Sequence, residues 1–317
     1  EDGGGFTGEL KKDLLYSTDS NFRPVEMEFA PDGSLYIIDW HNPLIGHMQH
    51  SARDPKRDND HGRIYRVTYP SRPLVEAPKV AGASIFQLLD NLTEHEYRTR
   101  YRTRRELRGH PAAEVIPAVK KWVHGVDKND PKYGRHILEG LWATRGQNQV
   151  DQDLLELCLS SNEHAVRAGA VRVLRYTHYQ VPNTQELFLK AAGDEHPRVR
   201  LEAIVAASWL DNDEGAEIAL EGLKHPVTKW MGRAFESVLI TLDDDIRALS
   251  DAGKIALNDN PAASSYLAGS LELYDKRVKE IRLPQMNLSK KNLDLYKLGK
   301  EVYHRDAHCA TCHGEDV

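Results

Sequence analysis

The sequence predicts a multidomain, mainly α chain of three unlike parts: a short β unit, a long run of helical repeats, and a last segment ending in paired cysteines. Three observations predict it. Apolar residues alternate with period two between residues 22 and 69, recur with helical spacing from about 84 to 283, and change pattern again after Leu283-Pro284. At 317 residues, 40% of them hydrophobic, the chain can bury a substantial core and has room for two or more domains.

In the first part, VEMEFAPDGSLYIIDW alternates around Pro31-Asp32-Gly33, which predicts two strands joined by a tight reversal, and GRIYRVTY from Gly62 predicts a third strand. Between them runs a polar loop from Trp40 to His61, holding His41, His47, His50, Arg53, Asp54, Arg57, Asp58, Asp60 and His61. Loops this long inside a compact β unit are usually functional or disordered. Three readings stay open. As a catalytic or substrate-binding loop, His41 or His50 serves as general base and Arg53 holds an anionic cofactor or substrate. As a metal site, His47 and His50 flank the ion, although no strict ligand spacing is present. As a structural loop, its His and Asp side chains bond its own backbone.

In the second part, EHAVRAGAVRVLRY places Val166, Ala170, Val173 and Leu174 on one helical face, and EHPRVRLEAIVAASWL does the same with Val199, Ala203, Ala206 and Leu210. His164 and His196 are 32 apart, the Val-Arg pairs at 166/167 and 199/200 are 33 apart, and His225-Pro226 is expected to open a third unit. Repeats of this period, with Pro and acidic residues at helix entries and small Ala residues where helices approach, predict stacked helical pairs. TRYRTRRELRGHP and GRHILEGLWATRG fit the same scheme more loosely.

The net charge of -6 gives no general affinity for polyanions. The basic stretch YRTRYRTRRELR sets Arg98, Arg102 and Arg105 on one face and Arg100, Arg104 and Arg108 on another. It is expected to be a solvated face with intrahelical ion pairs, and no nucleic-acid partner is expected. The chain has no apolar run long enough to span a bilayer, and Cys158, inside LLELCL, is expected to be buried.

In the last part, Ser289 is a suitable N-cap for a helix with Leu295, Leu298 and Val302 on one face. It leads into Cys309-Ala310-Thr311-Cys312-His313. CxxCH is the attachment motif of haem c: the spacing lets both thiols reach the two vinyl groups of one porphyrin, and the adjacent His313 supplies the proximal nitrogen to iron. The alternatives are a redox CxxC pair, which needs a βαβ context absent here, and half of a zinc site, which needs further ligands.

The repeats resemble the HEAT family over roughly 200 residues. Gly299 and Tyr303 ahead of CxxCHG resemble the first helix of class I cytochromes c, and FAPDGSLYIIDW resembles a blade of the six-bladed propellers of soluble quinoprotein sugar dehydrogenases. Propeller, HEAT repeats and CxxCH in this order resemble the large haem-binding proteins of planctomycetes and verrucomicrobia described as membrane-bound dehydrogenases. The resemblance implies a propeller part at 1–80, a HEAT-like α-solenoid at 81–285 and the start of a cytochrome c domain at 286–317. It implies a periplasmic or membrane-associated electron-transfer protein of a dehydrogenase acting on a sugar or alcohol, with covalent haem on Cys309 and Cys312 and with pyrroloquinoline quinone and calcium in the propeller. A redox partner protein or acceptor is implied too. The competing expectation is an interaction scaffold that binds a protein on its HEAT surface. The chain is expected to be a fragment, because only Gly314 to Val317 follow the motif and Met286, ahead of it, is a poor distal ligand.

Overall fold

The computed structural model of the chain describes residues 2–43, 54–210, 212–253, 257 and 260–282. Among these stand three β-strands and eleven α-helices. The strands β1 (Pro24–Phe29), β2 (Leu35–Asp39) and β3 (Arg63–Val67) form one antiparallel sheet in the order β1-β2-β3. The Asp32-Gly33 reversal closes as its residues dictate. Asp32 Oδ1 accepts the Ser34 N–H at 2.9 Å, and Gly33 takes a φ of +80°, a conformation that costs glycine little.

Cross-strand pairs Met27↔Ile37 and Ile37↔Tyr65 put Leu35, Ile37 and Asp39 on one face, where β2 is buried. Apolar side chains nevertheless stay in the open on both faces. Met27 and Phe29 on the first face and Ile38 and Ile64 on the second are exposed. The outer edges of β1 and β3 have no strand partner among the described residues.

The helices are α1 (Ile85–Asn91), α2 (Tyr97–Leu107), α3 (Ala112–Gly125), α4 (Tyr133–Gly146), α5 (Gln152–Leu159), α6 (His164–Thr177), α7 (Thr184–Ala192), α8 (Pro197–Ala207), α9 (Asn212–Gly222), α10 (Lys229–Asp251) and α11 (Pro261–Arg282). The even-numbered helices α2 to α10 pack on one another in succession; of the odd-numbered ones α1 packs on α2 and α3, α3 also on α4, α5, α7 and α9 each on the even helices to either side, and α11 on α10. This is a solenoid of HEAT-like pairs. Leu89, Leu107, Leu141, Leu174, Phe188 and Ile204 belong to one continuous core that runs the length of the array. Cys158 sits in it, and burial pushes its thiol up to about 12.

The N-cap residues of the even row are Glu96, Lys132, Glu163, His196 and Thr228. Two sequence expectations are therefore corrected. His164 is the first residue of α6 whereas His196 caps α8, so the Val-Arg spacing and not the His spacing marks the repeat, although the two imidazoles stack 3.6 Å apart. His225-Pro226 lies ahead of Thr228 in the link to α10 and is not the equivalent entry.

The register also explains three arginines. Arg100, Arg167 and Arg200 each stand four residues after a cap. Each donates Nη1 to the carbonyl six residues earlier: Glu94, Ser161 and Asp194, at 2.7, 2.9 and 2.7 Å. A nearly buried guanidinium thus satisfies carbonyls of the loop entering its helix. Arg167 further bonds both oxygens of Asp194 in the next pair, at 2.8 Å each.

The basic stretch in α2 departs from expectation as well. Its ion pairs are not intrahelical. Arg100 and Arg104 close on Glu139 of α4, with Arg100 Nε at 2.9 Å, and Arg98 pairs with Glu28 of β1. Arginines on the inner faces find the acid of the neighbouring helix because burial there demands a counterion.

The glycine triplet near the N-terminus docks on the solenoid. Gly3 and Gly4 have φ of +50° and +99°. The Gly3 carbonyl accepts from Thr228 Oγ1, the Gly4 carbonyl accepts from Arg198 Nη1 at 2.9 Å, and the Arg198 guanidinium lies 5.1 Å from the Phe6 ring. A Cβ on Gly4 would sit 2.8 Å from the Pro197 carbonyl oxygen, so this stretch is a fitted contact and not a linker.

Candidate functional site

The described ends of the 40–61 loop gather beside the sheet. Asp39, the last residue of β2, is buried. Its Oδ1 accepts the N–H groups of Arg23 at 2.7 Å and His41 at 2.9 Å, and Tyr65 donates its hydroxyl to Oδ2 at 3.3 Å. Burial alone would raise this carboxyl, yet these donors outweigh it and hold it below the ordinary carboxylate value.

Asp39 thereby fixes the backbone of His41, whose φ of +52° is uncommon for a residue other than glycine. The imidazole of His41 is buried, with Nε2 3.3 Å from Asp58 Oδ2 and 3.3 Å from Arg63 Nη2, while Nδ1 is buried without a hydrogen-bond partner among the described residues. These contacts conflict. A lone pair on Nε2 can accept from Arg63 but leaves the Nδ1 proton unpaired, whereas a proton on Nε2 can go to Asp58 but then faces the guanidinium. Asp58 also stands 3.0 Å from His61 Nδ1, so one carboxylate faces two imidazoles. It accepts the Asp60 and His61 N–H groups, and those bonds hold it below its ordinary value, Asp60 first. Arg63 is held by Asp19 at 2.7 Å.

A histidine placed by a carboxylate and a guanidinium, in a sparsely populated backbone conformation, can take up or pass a proton to a neighbouring group. Of the sequence candidates, His41 enters this cluster together with Asp58 and His61. Arg57 instead stacks over Trp40 at 4.9 Å, and Asp54 caps its own turn by accepting the Lys56 N–H. His47, His50 and Arg53 lie outside the described residues, as do Cys309, Cys312 and His313. Sequence reasoning missed Asp39, Arg63, Tyr65 and Asp19. The signal for Asp39 was a carboxylate at an inward position of an alternating strand.

Among the described residues no group of three or more His, Cys, Asp or Glu side chains is arranged to hold a metal ion, so none is assigned to calcium. No described helix is long and apolar enough to cross a membrane.

A fold of helical pairs preceded by a small sheet defines the class of protein, and comparison with known families divides the chain the same way. A domain of unknown function, DUF7133, matches residues 2–71, and HEAT repeats match residues 152–239. The chain thus carries a DUF7133 domain at its N-terminus followed by HEAT repeats. No curated protein and no solved structure matches it.

Proposed function

We propose that this chain is the haem-bearing part of a periplasmic electron-transfer protein of quinoprotein-dehydrogenase type. The observation that carries the proposal is Cys309-Ala310-Thr311-Cys312-His313, where two thiols separated by two residues and an adjacent imidazole fit the donor set of haem c. Cys309 and Cys312 would form thioethers, and His313 would ligate the iron through one ring nitrogen and donate the other to an acceptor. When bound, haem supplies a one-electron carrier. The sheet supports a propeller part, since apolar residues exposed on both faces are what a blade packs against neighbouring blades. The His41 cluster would then serve as the proton-accepting element for oxidation of a sugar or alcohol.

The test is the pyridine haemochrome of protein matured with the haem-attachment machinery. Covalent haem is expected, together with loss of covalent attachment in Cys309→Ser/Cys312→Ser and a displaced redox couple with haem retained in His313→Ala. A zinc ion on both sulfurs, or free thiols after maturation, would overturn the proposal. Activity towards sugars and alcohols with an artificial acceptor, with and without pyrroloquinoline quinone and calcium, tests the dehydrogenase half. The HEAT repeats favour a second reading as an interaction scaffold, because such repeats generally mediate contacts between proteins.

A further inference from the structure

We infer that segment 289–303 of this chain docks in the groove between α10 and α11 and adds one more helix to the even row. This goes beyond the electron-transfer reading, and it holds whether or not Cys309 and Cys312 carry haem.

The groove is lined by Arg233, Glu236 and Ile240 of α10 and by Leu273, Tyr274 and Val278 of α11. Ile240 is 69% exposed and Leu273 42%. The reason lies in the row. α8 has an even helix on either side, and its Val199, Arg200, Glu202, Ala203 and Ile204 are all buried. α10 packs on α8 and α9, burying Met231, Phe235 and Val238, and leaves Ile240, about half a turn round the helix from these, in the open. Among the described residues no even helix follows α10. The groove is the place the next one would take.

The course of the chain chooses the occupant. α11 ends at Arg282, Pro284 has no N–H with which to continue it, and Ser289 is a suitable N-cap. Residues 283–317 lie outside the described residues. The link 283–288 has the length that joins antiparallel neighbours in helical arrays. Leu273 and Val278 stand about 14 and 6 Å before the end of α11, and a helix over 290–303 would run about 21 Å back from its cap, enough to pass both. Its stripe of Leu295, Leu298 and Val302 would meet Ile240 and Leu273. Gly299 and Tyr303, on which the likeness to a cytochrome helix rests, lie about a quarter turn round from that stripe, so the two contacts do not compete. A second copy of the chain is the weaker contender, because a segment tethered this closely has an effective concentration on the order of millimolar.

The test is amide hydrogen exchange of the full chain at two protein concentrations, in the parent and in Ile240→Asp/Leu273→Asp. Amides of 293–303 are expected to be protected in the parent and to exchange at least about tenfold faster in the variant. Both replaced side chains are exposed among the described residues, and unchanged exchange in α4 and α8 shows that the array stays folded. Leu157→Asp, 41% exposed on α5, should leave 293–303 as in the parent. Haem content of the same samples reports separately on the electron-transfer proposal. The inference is overturned if 293–303 exchanges freely in the parent, if the double variant leaves it equally protected, if Leu157→Asp exposes it as much, or if dilution alone exposes the groove, the mark of a second copy.

Discussion

Replacing Glu139 by Gln removes the charge on which two guanidinia converge while conserving side-chain volume. Glu139 has no exposed surface, and the side chains of Arg100 and Arg104 are 11% and 12% exposed, so little solvent screens what is lost. Breaking a buried pair from one side costs about 3–5 kcal/mol. Gln keeps one acceptor oxygen but points an amide donor at an arginine, which places the expected loss near the lower end, about 3 kcal/mol. For a helical array of this size that is a fall in Tm of roughly 6–12 °C. Repeat arrays can open in parts, so guanidinium titration followed by circular dichroism should be read beside hydrogen exchange, with faster exchange in α2 and α4 before α8 or α10. Glu272→Gln on α11 is the reference, since its pair with Lys276 is exposed and its removal should change stability by less than about 0.5 kcal/mol. A Glu139→Gln protein as stable as Glu272→Gln would refute the argument that this carboxylate ties α2 to α4.

Two further outcomes are expected. Gly4→Ala should release residues 2–6 from α8 and α10, because its φ of +99° disfavours a side chain and a Cβ would meet the Pro197 carbonyl; Gly8→Ala, where nothing lies within 4 Å, should not. Amide exchange of the first residues checks this, and equal exchange in the two variants counts against the fitted contact. Burial first, then Arg135, lowers the His136 pKa below the ordinary 6.5, so the unfolded chain binds the proton more readily. Its contribution is therefore complete above about pH 6.5 and declines as pH falls through the folded value, and His136→Gln should flatten that slope in denaturant titrations between about pH 5 and pH 7.5. An unchanged slope would show that the imidazole titrates alike in both states.

What was legible in the sequence was local. Alternation around Asp32-Gly33 specified the hairpin, because strand period and turn chemistry act over neighbouring positions. The Val-Arg spacing specified the helical pairs, since each repeat places its apolar face by its own periodicity. Tertiary structure decided the pairings. Arg100 and Arg104 look like any exposed arginines of a basic helix until Glu139, from the next helix of the row, is laid against them. His41 and Asp58 are both present in a polar loop, yet only the Asp39 anchor and the β2–β3 pairing turn them towards each other. Nothing in the order of residues gives Gly3, Gly4 and Gly5 a role, and it is contact with Thr228, Pro197 and Trp230, nearly two hundred or more residues away, that does. Periodicity states which face of an element is apolar. The partner that meets a charge or a glycine is chosen only when distant elements stack, where desolvation makes an unmatched charge costly and leaves room for no Cβ.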